Sequence, residues 1–373
     1  MGKKRKTYSG EKIMKCAFIA SFYGPYYSNF VASMIAFDKK MQSEGHSIIY
    51  VLPKETESFK WIKILKKQNN KIYFLNYKPY SFDNLFALKR IFNSEEVDLI
   101  YSHMCGWDFT AHFAMPTVPI VWHMHMNVNI INKVKRFKNF LKFKFLGFGK
   151  TYHIAVSQPV TDAINSLKPN NKCVPIQNAI DFSRLVLKSQ NDFHKEYKEI
   201  LLFGWEPHVK GLDITLDACE KLIAEGKIFK LLVSAQEKTY EYIKNRYVTE
   251  PNWLELLEPT SDVSSLYDRA DIMLSASRSE GFSFSLAEAI YSGLVTVVSD
   301  IPGTSWSREF SARYEFVSGN ADALKIALEE ALNYQITKEE QDVNRQILEQ
   351  KYSMDVWANT VYDELTAIYN QKK

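Results

Sequence analysis

The sequence predicts an α/β protein made of two doubly wound parallel sheets in series. Three observations predict it. Short apolar runs alternate with helical stretches along nearly the whole length, the pattern of parallel strands joined by crossover helices. The pattern runs to residue 157, meets a polar stretch at 181–198, and restarts at 199. A chain of 373 residues has room for about two domains of roughly 100–200 residues each.

In chain order, "KCAFIAS" is the first expected strand, and residues 28–44 form a helix that Gly45 ends. The runs "SIIYVLP", "KIYFLNY", "VDLIYSH", "PIVWHMH" and "TYHIAVS" follow as strands. A crossover helix is due at 133–148, between the last two. The second series opens with the strand "EILLFGW" at 199–205 and a helix at 211–225. It continues with the strand "FKLLVSA", the helix "DVSSLYDRA", the strand "DIMLSAS", a helix at 284–292 and the strand "LVTVVSD". The expected segments are therefore a basic, disordered tail at 1–13, one domain at 14–180, a link at 181–198, a second domain at 199–350 and a terminal helix at 351–373 that packs back on the first domain. Ligands of such sheets bind at the carboxyl ends of the strands. Each domain then offers one loop-lined edge, and the two are expected to face each other across a cleft.

Composition excludes several classes. It is that of an ordinary globular chain, neither disordered nor collagen-like. The net charge is only +4, and no nucleic-acid partner is expected. The positive charge is unevenly placed, with Lys3, Lys4, Arg5 and Lys6 at the start and a second cluster from Lys133 to Lys150. Cys16, Cys105, Cys173 and Cys219 show no metal or disulfide spacing, which suits a reducing, cytoplasmic setting. The basic start followed by "CAFIASFY" mimics a signal peptide, but the apolar run is short and ends in Tyr-Gly-Pro. No run approaches the ~20 apolar residues of a membrane span.

The stretch "SEGFSFSLAEA", residues 279–289, carries the chemistry. It follows a strand and opens a helix. Gly281 permits close backbone approach, and Ser283 or Ser285 is available as a helix cap. Unpaired N–H groups and the helix dipole make that helix start an anion site. Glu280 precedes the turn, and Glu288 lies about two helical turns on. Carboxylates on both sides of a phosphate site suit a nucleotide sugar, with Glu288 accepting from ribose hydroxyls and Glu280 from the sugar. A capped helix with two exposed glutamates fits the spacing equally.

The whole stretch "SRSEGFSFSLAEAIYSGLVTVVSDIPG" resembles the donor-site signature of the family-4 retaining glycosyltransferases, whose two Rossmann-like domains form the GT-B architecture. "FGWEPHVKGLD" is similar to the family loop whose lysine binds the donor diphosphate, and "VPIQNAID" to its interdomain segment. "ASFYGPYYSNFVASM" with "EGHSIIYV" resembles the N-terminal glycine-rich pattern, and "LIYSHM" the strand end with the acceptor-side histidine. The resemblance covers nearly all the chain from Met14 and implies a retaining, metal-independent hexosyltransferase. The donor would be a UDP-sugar, and the acceptor a glycan, lipid-linked or protein-linked, in bacterial surface polysaccharide or glycoconjugate synthesis.

On this resemblance the donor belongs to the C-terminal domain, on Lys210, Gly281, Phe282, Ser283, Phe284, Ser285 and Glu288. His103, Glu280 and Lys210 would carry catalysis. The acceptor side would hold Ser28, Asn29 and His125. No metal and no cofactor are implied, the nucleotide sugar being a substrate. The family arginine is Trp205 here, its N-terminal glycine pair is Ser28-Asn29, a glycine after Gly303 is Thr304, and a Gly-x-Gly is "SAQ" at 234–236. Arg278 is the nearest substitute cation. A catalytically silent, nucleotide-sugar-binding partner of another transferase is the alternative, and a sugar-nucleotide epimerase a weaker one.

Two further features complete the expectations. His123 and His125 alternate on a strand and so share a face, with no third metal ligand evident in the sequence. In 133–148, Val134, Phe137, Leu141, Phe145 and Phe148 recur at helical spacing among lysines and Arg136. That stripe either packs on the sheet or lies on an anionic membrane surface, which would make the protein peripheral on the inner face of the plasma membrane.

Overall fold

A computed structural model describes residues 13–371 apart from 69, 77, 79, 80, 105, 126–131, 146–149, 189–195 and 261. The basic tail at 1–12, Cys105, part of the link and Phe148 thus lie outside the described residues. The chain forms two units, one of residues 1–179 and 354–373 and one of 180–353.

The first unit contains β1 (Lys15–Ala20), α1 (Asn29–Ser43), β2 (Ser47–Pro53), α2 (Ile62–Lys67), β3 (Lys71–Leu75), α3 (Phe82–Ser94), β4 (Leu99–His103) and α4 (Asp108–Ala114). It continues with β5 (Ile120–Met124), α5 (Lys133–Phe145), β6 (Thr151–Ala155), α6 (Gln158–Asn165) and β7 (Cys173–Pro175). Its strands are all parallel, in the order β3-β2-β1-β4-β5-β6-β7. Alternation along β1 sends Cys16, Phe18 and Ala20 into one core and Ala17 and Ile19 into the other. Both faces are covered, which is why the strands are apolar runs rather than half-polar ones. Ser28 caps α1 by accepting from the Val31 amide, and Gly45, at φ 75°, ends it.

The second unit contains β8 (Lys198–Phe203), α7 (Leu212–Ala224), β9 (Phe229–Ser234), α8 (Glu237–Arg246), β10 (Leu254–Leu257), α9 (Val263–Arg269) and β11 (Ile272–Ser275). Then come α10 (Phe284–Ser292), β12 (Val295–Ser299), β13 (Arg313–Phe316), α11 (Ala321–Asn333) and α12 (Lys338–Tyr352). The six-stranded parallel sheet runs β10-β9-β8-β11-β12-β13. The expected class, two Rossmann-like α/β domains, is what the chain adopts. The final helix, α13 (Met354–Asn370), belongs to the first unit, where Trp357, Val361 and Leu365 join the core with Phe37.

Residues 181–188, read in the sequence as the start of a link, are bound into the second unit. The fully buried Lys188 ammonium donates to Asp271 Oδ1 at 2.7 Å and to the Ala270 carbonyl, while its amide donates to Ser292 O.

The α5 helix decides between the two expectations for its stripe. Phe143 is buried and Phe140 partly so, both against the β-sheet side that holds Trp122 and Leu167. Of the expected stripe, Val134, Phe137 and Leu141 face out, at 65%, 61% and 38% exposure. Lys142 turns inward, its Nζ 5.0 Å from the Trp122 ring centre and 5.2 Å from that of Phe109. The packing reading of these three residues does not hold, because Phe140 and Phe143 meet the sheet in their place.

Candidate active site

In the second unit, the strand order reverses between β8 and β11, the place where such sheets leave a crevice at the carboxyl edge. The loops that follow these two strands, 204–211 and 276–283, are joined directly. Gly211 sits at φ 71°, and a Cβ there would lie 2.1 Å from Ala276 O. The Arg278 amide donates to Val209 O at 2.8 Å, and its guanidinium makes a two-pronged pair with Asp213, both contacts 2.8 Å. Arg278 is therefore a brace between the loops, turned away from the role of substitute phosphate cation.

Lys210 and Glu280 meet in this crevice. The Lys210 ammonium donates to Glu280 Oε1 at 2.5 Å, and Ser277 Oγ donates to the same oxygen at 2.8 Å. Lys210 Nζ also stands 4.8 Å from the centre of the Trp205 ring, within cation–π range. The residue that replaces the family arginine thus touches the lysine itself. Trp205 is 37% exposed and rests on Phe203, 5.8 Å between ring centres. Gly303 lets the Glu280 turn in: a Cβ there would lie 2.1 Å from Glu280 O.

The helix start beyond the turn is open. Ser283 takes the N-cap position of α10 but makes no side-chain cap bond; its hydroxyl lies 3.4 Å from Ser285 Oγ. The first amides of α10 are thus not closed by that side chain, as an anion site requires. Phe282 is buried, stacked 4.8 Å from Trp306 and edge-on to Phe284 at 5.5 Å, so it offers this site only its backbone.

Glu288 is buried at 6% exposure and accepts a hydrogen bond at each oxygen: Arg184 Nη2 donates to Oε1 at 2.8 Å and Tyr267 OH to Oε2 at 2.7 Å. The exposed-glutamate alternative is thereby excluded for Glu288.

In the first unit, three histidines gather where β4 and β5 end. His103 pairs in register with His123, and His125 lies on the same strand face as His123. His103 Nδ1 is 3.0 Å from His125 Nε2, and Tyr101 OH is 2.6 Å from His123 Nδ1. His103 therefore stands where the sequence offered no third neighbour: one ring nitrogen from each histidine lies within 4.8 Å of the others. The rings are layered, His123 on His125 at 4.7 Å and 22°, and His103 on Phe18 at 4.3 Å and 17°. Lone pairs lie in the ring planes, so stacked rings aim them side by side rather than at one point. Burial pushes all three imidazoles down, His125 to about 4, so they are neutral at pH 7. His103 is only 1% exposed, whereas His125 keeps open surface. Any ligand contact of the pair then falls on His125, with His103 behind it. Ser28 is engaged as the α1 cap, and Asn29 is buried.

Arg184, Tyr267, Ser277 and the Trp205–Lys210 contact were not found from the sequence. Arg184 stands 104 positions from Glu288, and no local spacing announces such a partner.

Two family models match the chain: "Glycosyltransferase Family 4" over residues 35–184 and "Glycosyl transferases group 1" over residues 197–333. No curated protein matches it. Solved structures that it resembles include a glycosyltransferase from Rickettsia africae ESF-5, with TM-score 0.76 and 18% identity over 95% of this chain and 98% of that one. The Anabaena protein HepE in complex with UDP gives TM-score 0.75 and 17% identity over 95% and 100%. The lipopolysaccharide outer core galactosyltransferase WaaB, in its apo form, gives 0.70 and 14% over 95% and 99%. At these identities the likeness speaks for the fold.

Proposed function

Since the chain is a glycosyltransferase of the GT-B type, we propose that it moves a hexose from a UDP-sugar to a glycan or lipid-linked acceptor with retention of anomeric configuration and no metal ion. The observation that carries this reading is the Lys210–Glu280 pair in the crevice of the second unit, with Glu280 on the loop that leads into the uncapped start of α10. HepE, of the same fold, has been seen with UDP and with UDP-glucose, which supports uridine as the base.

Lys210 and the first α10 amides hold the diphosphate and stabilise the charge that grows on it as the bond to the sugar breaks. Glu280, next to Lys210, accepts from sugar hydroxyls, and Glu288 from the ribose once its bonds to Arg184 and Tyr267 rearrange. The acceptor hydroxyl attacks the anomeric carbon on the face that the diphosphate leaves. Its proton passes to the departing phosphate oxygen, so no protein nucleophile is needed. The acceptor binds the first unit beside His125. The pathway is bacterial surface polysaccharide or glycoconjugate synthesis, at the inner face of the plasma membrane.

A panel of nucleotide sugars, scored for thermal stabilisation and slow hydrolysis, tests the donor. The anomeric configuration of the product tests retention, and activity in excess chelator tests metal independence. Stabilisation by no nucleotide sugar sinks the reading. A silent partner subunit is the second reading, favoured by Trp205 in place of the family arginine. Donor binding without any hydrolysis, with or without acceptor, would select it.

A further inference from the structure

The outward face of α5 takes no part in the donor and acceptor chemistry described above. Val134, Phe137 and Leu141 recur there at helical spacing and are all exposed, while Phe140 and Phe143 do the packing. The helix carries no acidic residue from 133 to 145. Beside the apolar stripe, the end of α6 and the start of α5 enclose a cavity of about 410 Å³ whose lining includes Lys133, Arg136 and Lys168, with Phe137, Phe140 and Leu167.

The geometry points to a seat for the phosphate headgroups of an anionic phospholipid bilayer. Three cations around one cavity match a phosphodiester, and the aromatic and aliphatic groups next to it match the acyl boundary below the headgroups. A nucleic acid would use the cations and an aromatic face but has no use for exposed Val134 and Leu141. Lys142 is no part of the seat, being turned in over Trp122. This deepens the membrane element of the proposed function and does not depend on the donor chemistry.

The experiment is flotation of the full chain with phosphatidylcholine vesicles, with and without phosphatidylglycerol. Two triple variants are compared with the parent. One is Lys133→Glu, Arg136→Glu, Lys168→Glu; the other is Val134→Ser, Phe137→Ser, Leu141→Ser. All but Lys168 and its neighbours are exposed helix positions, and circular dichroism with donor hydrolysis in vesicle-free solution checks the fold. The parent should float only with phosphatidylglycerol. The charge variant should bind at least about a hundredfold more weakly at low salt, and the apolar variant should lose the part of binding that survives high salt. Equal flotation of parent and charge variant overturns the proposal. So does an apolar variant that binds like the parent while single-stranded RNA competes with the vesicles. A protein that hydrolyses its donor and ignores vesicles loses this seat and keeps the donor reading. One that floats but is inert to every nucleotide sugar does the reverse.

Discussion

Lys210→Ala is the sharpest perturbation of the crevice. It removes the cation 2.5 Å from Glu280 and 4.8 Å over the Trp205 ring. On the proposed reading this ammonium meets charge that exists fully only in the transition state. Loss of such a preorganised group lowers turnover by about 10²–10³-fold, or about 2.7–4 kcal/mol. The ion pair itself is 15% exposed on each side, so it contributes to folding on the order of the 1.5–3 kcal/mol of a charge-assisted hydrogen bond. Trp205 is a second test of the same atom. A cation–π contact contributes about 0.5–2 kcal/mol, so Trp205→Leu should slow turnover by roughly 2–30-fold. That effect should vanish when Lys210 is already alanine, and Trp205→Phe should restore most of it. The assay is release of the nucleoside diphosphate at saturating acceptor, with donor affinity measured separately by calorimetry. Turnover of Lys210→Ala within about threefold of the parent, or additive losses in the double variant, would refute the reasoning. Arg278→Ala should lower the melting temperature, because it braces two loops through Asp213, while leaving chemistry at saturating donor close to the parent's.

Glu288→Gln should weaken donor binding by roughly 1.5–3 kcal/mol, the value of a hydrogen bond to a charged acceptor; an unchanged dissociation constant removes Glu288 from the site. His103→Asn and His125→Asn should cut transfer far more than nucleotide affinity, and equal losses in both quantities would move the acceptor elsewhere. Gly303→Ala should displace the Glu280 turn, since the new Cβ would meet Glu280 O at 2.1 Å; donor hydrolysis at the parent rate would show that the turn has room. The buried histidines set a pH dependence. Their folded pKa values lie below the ordinary value of about 6.5, so below that pH the unfolded chain binds more protons. Each then removes up to about 1.4 kcal/mol of stability per pH unit until its own folded value is reached. Denaturant melts should show stability flat near pH 7–8 and falling below about pH 6.5; a triple Asn variant that keeps the same slope would assign it to other groups.

The strands were legible because a parallel sheet buried on both faces writes each strand as an unbroken apolar run, as in "KCAFIAS" and "LVTVVSD". The crevice was legible where its residues are neighbours in sequence, as Glu280 and Ser283 are. It was not legible where partners come from distant elements. Arg184 and Tyr267 reach Glu288 through the fold, and no periodicity links them. The inner face of α5 was not legible for a physical reason: with Phe at 137, 140, 143 and 145, several faces of that helix offer an aromatic residue, so periodicity alone does not choose between a stripe that packs on the sheet and one that faces out. His103 joined the other two histidines only through the pairing of β4 with β5, a register that the sequence does not write down.

The path of the chain through its two units has a consequence for the order of assembly. The second unit is one continuous segment, 180–353, whereas the first needs residues from both sides of it. Phe37 and Trp357 pack with their ring centres 6.4 Å apart, across a separation that spans most of the polypeptide. Such a contact closes a very long loop, and long-range closure is slow. During synthesis the second unit has its full set of residues before the first does. Until α13 leaves the ribosome, the apolar face of α1 that will receive Trp357, Val361 and Leu365 stays uncovered, the kind of surface that draws chaperones or neighbouring chains. The acceptor-binding half on the proposed reading, although encoded first, is therefore the half that matures last.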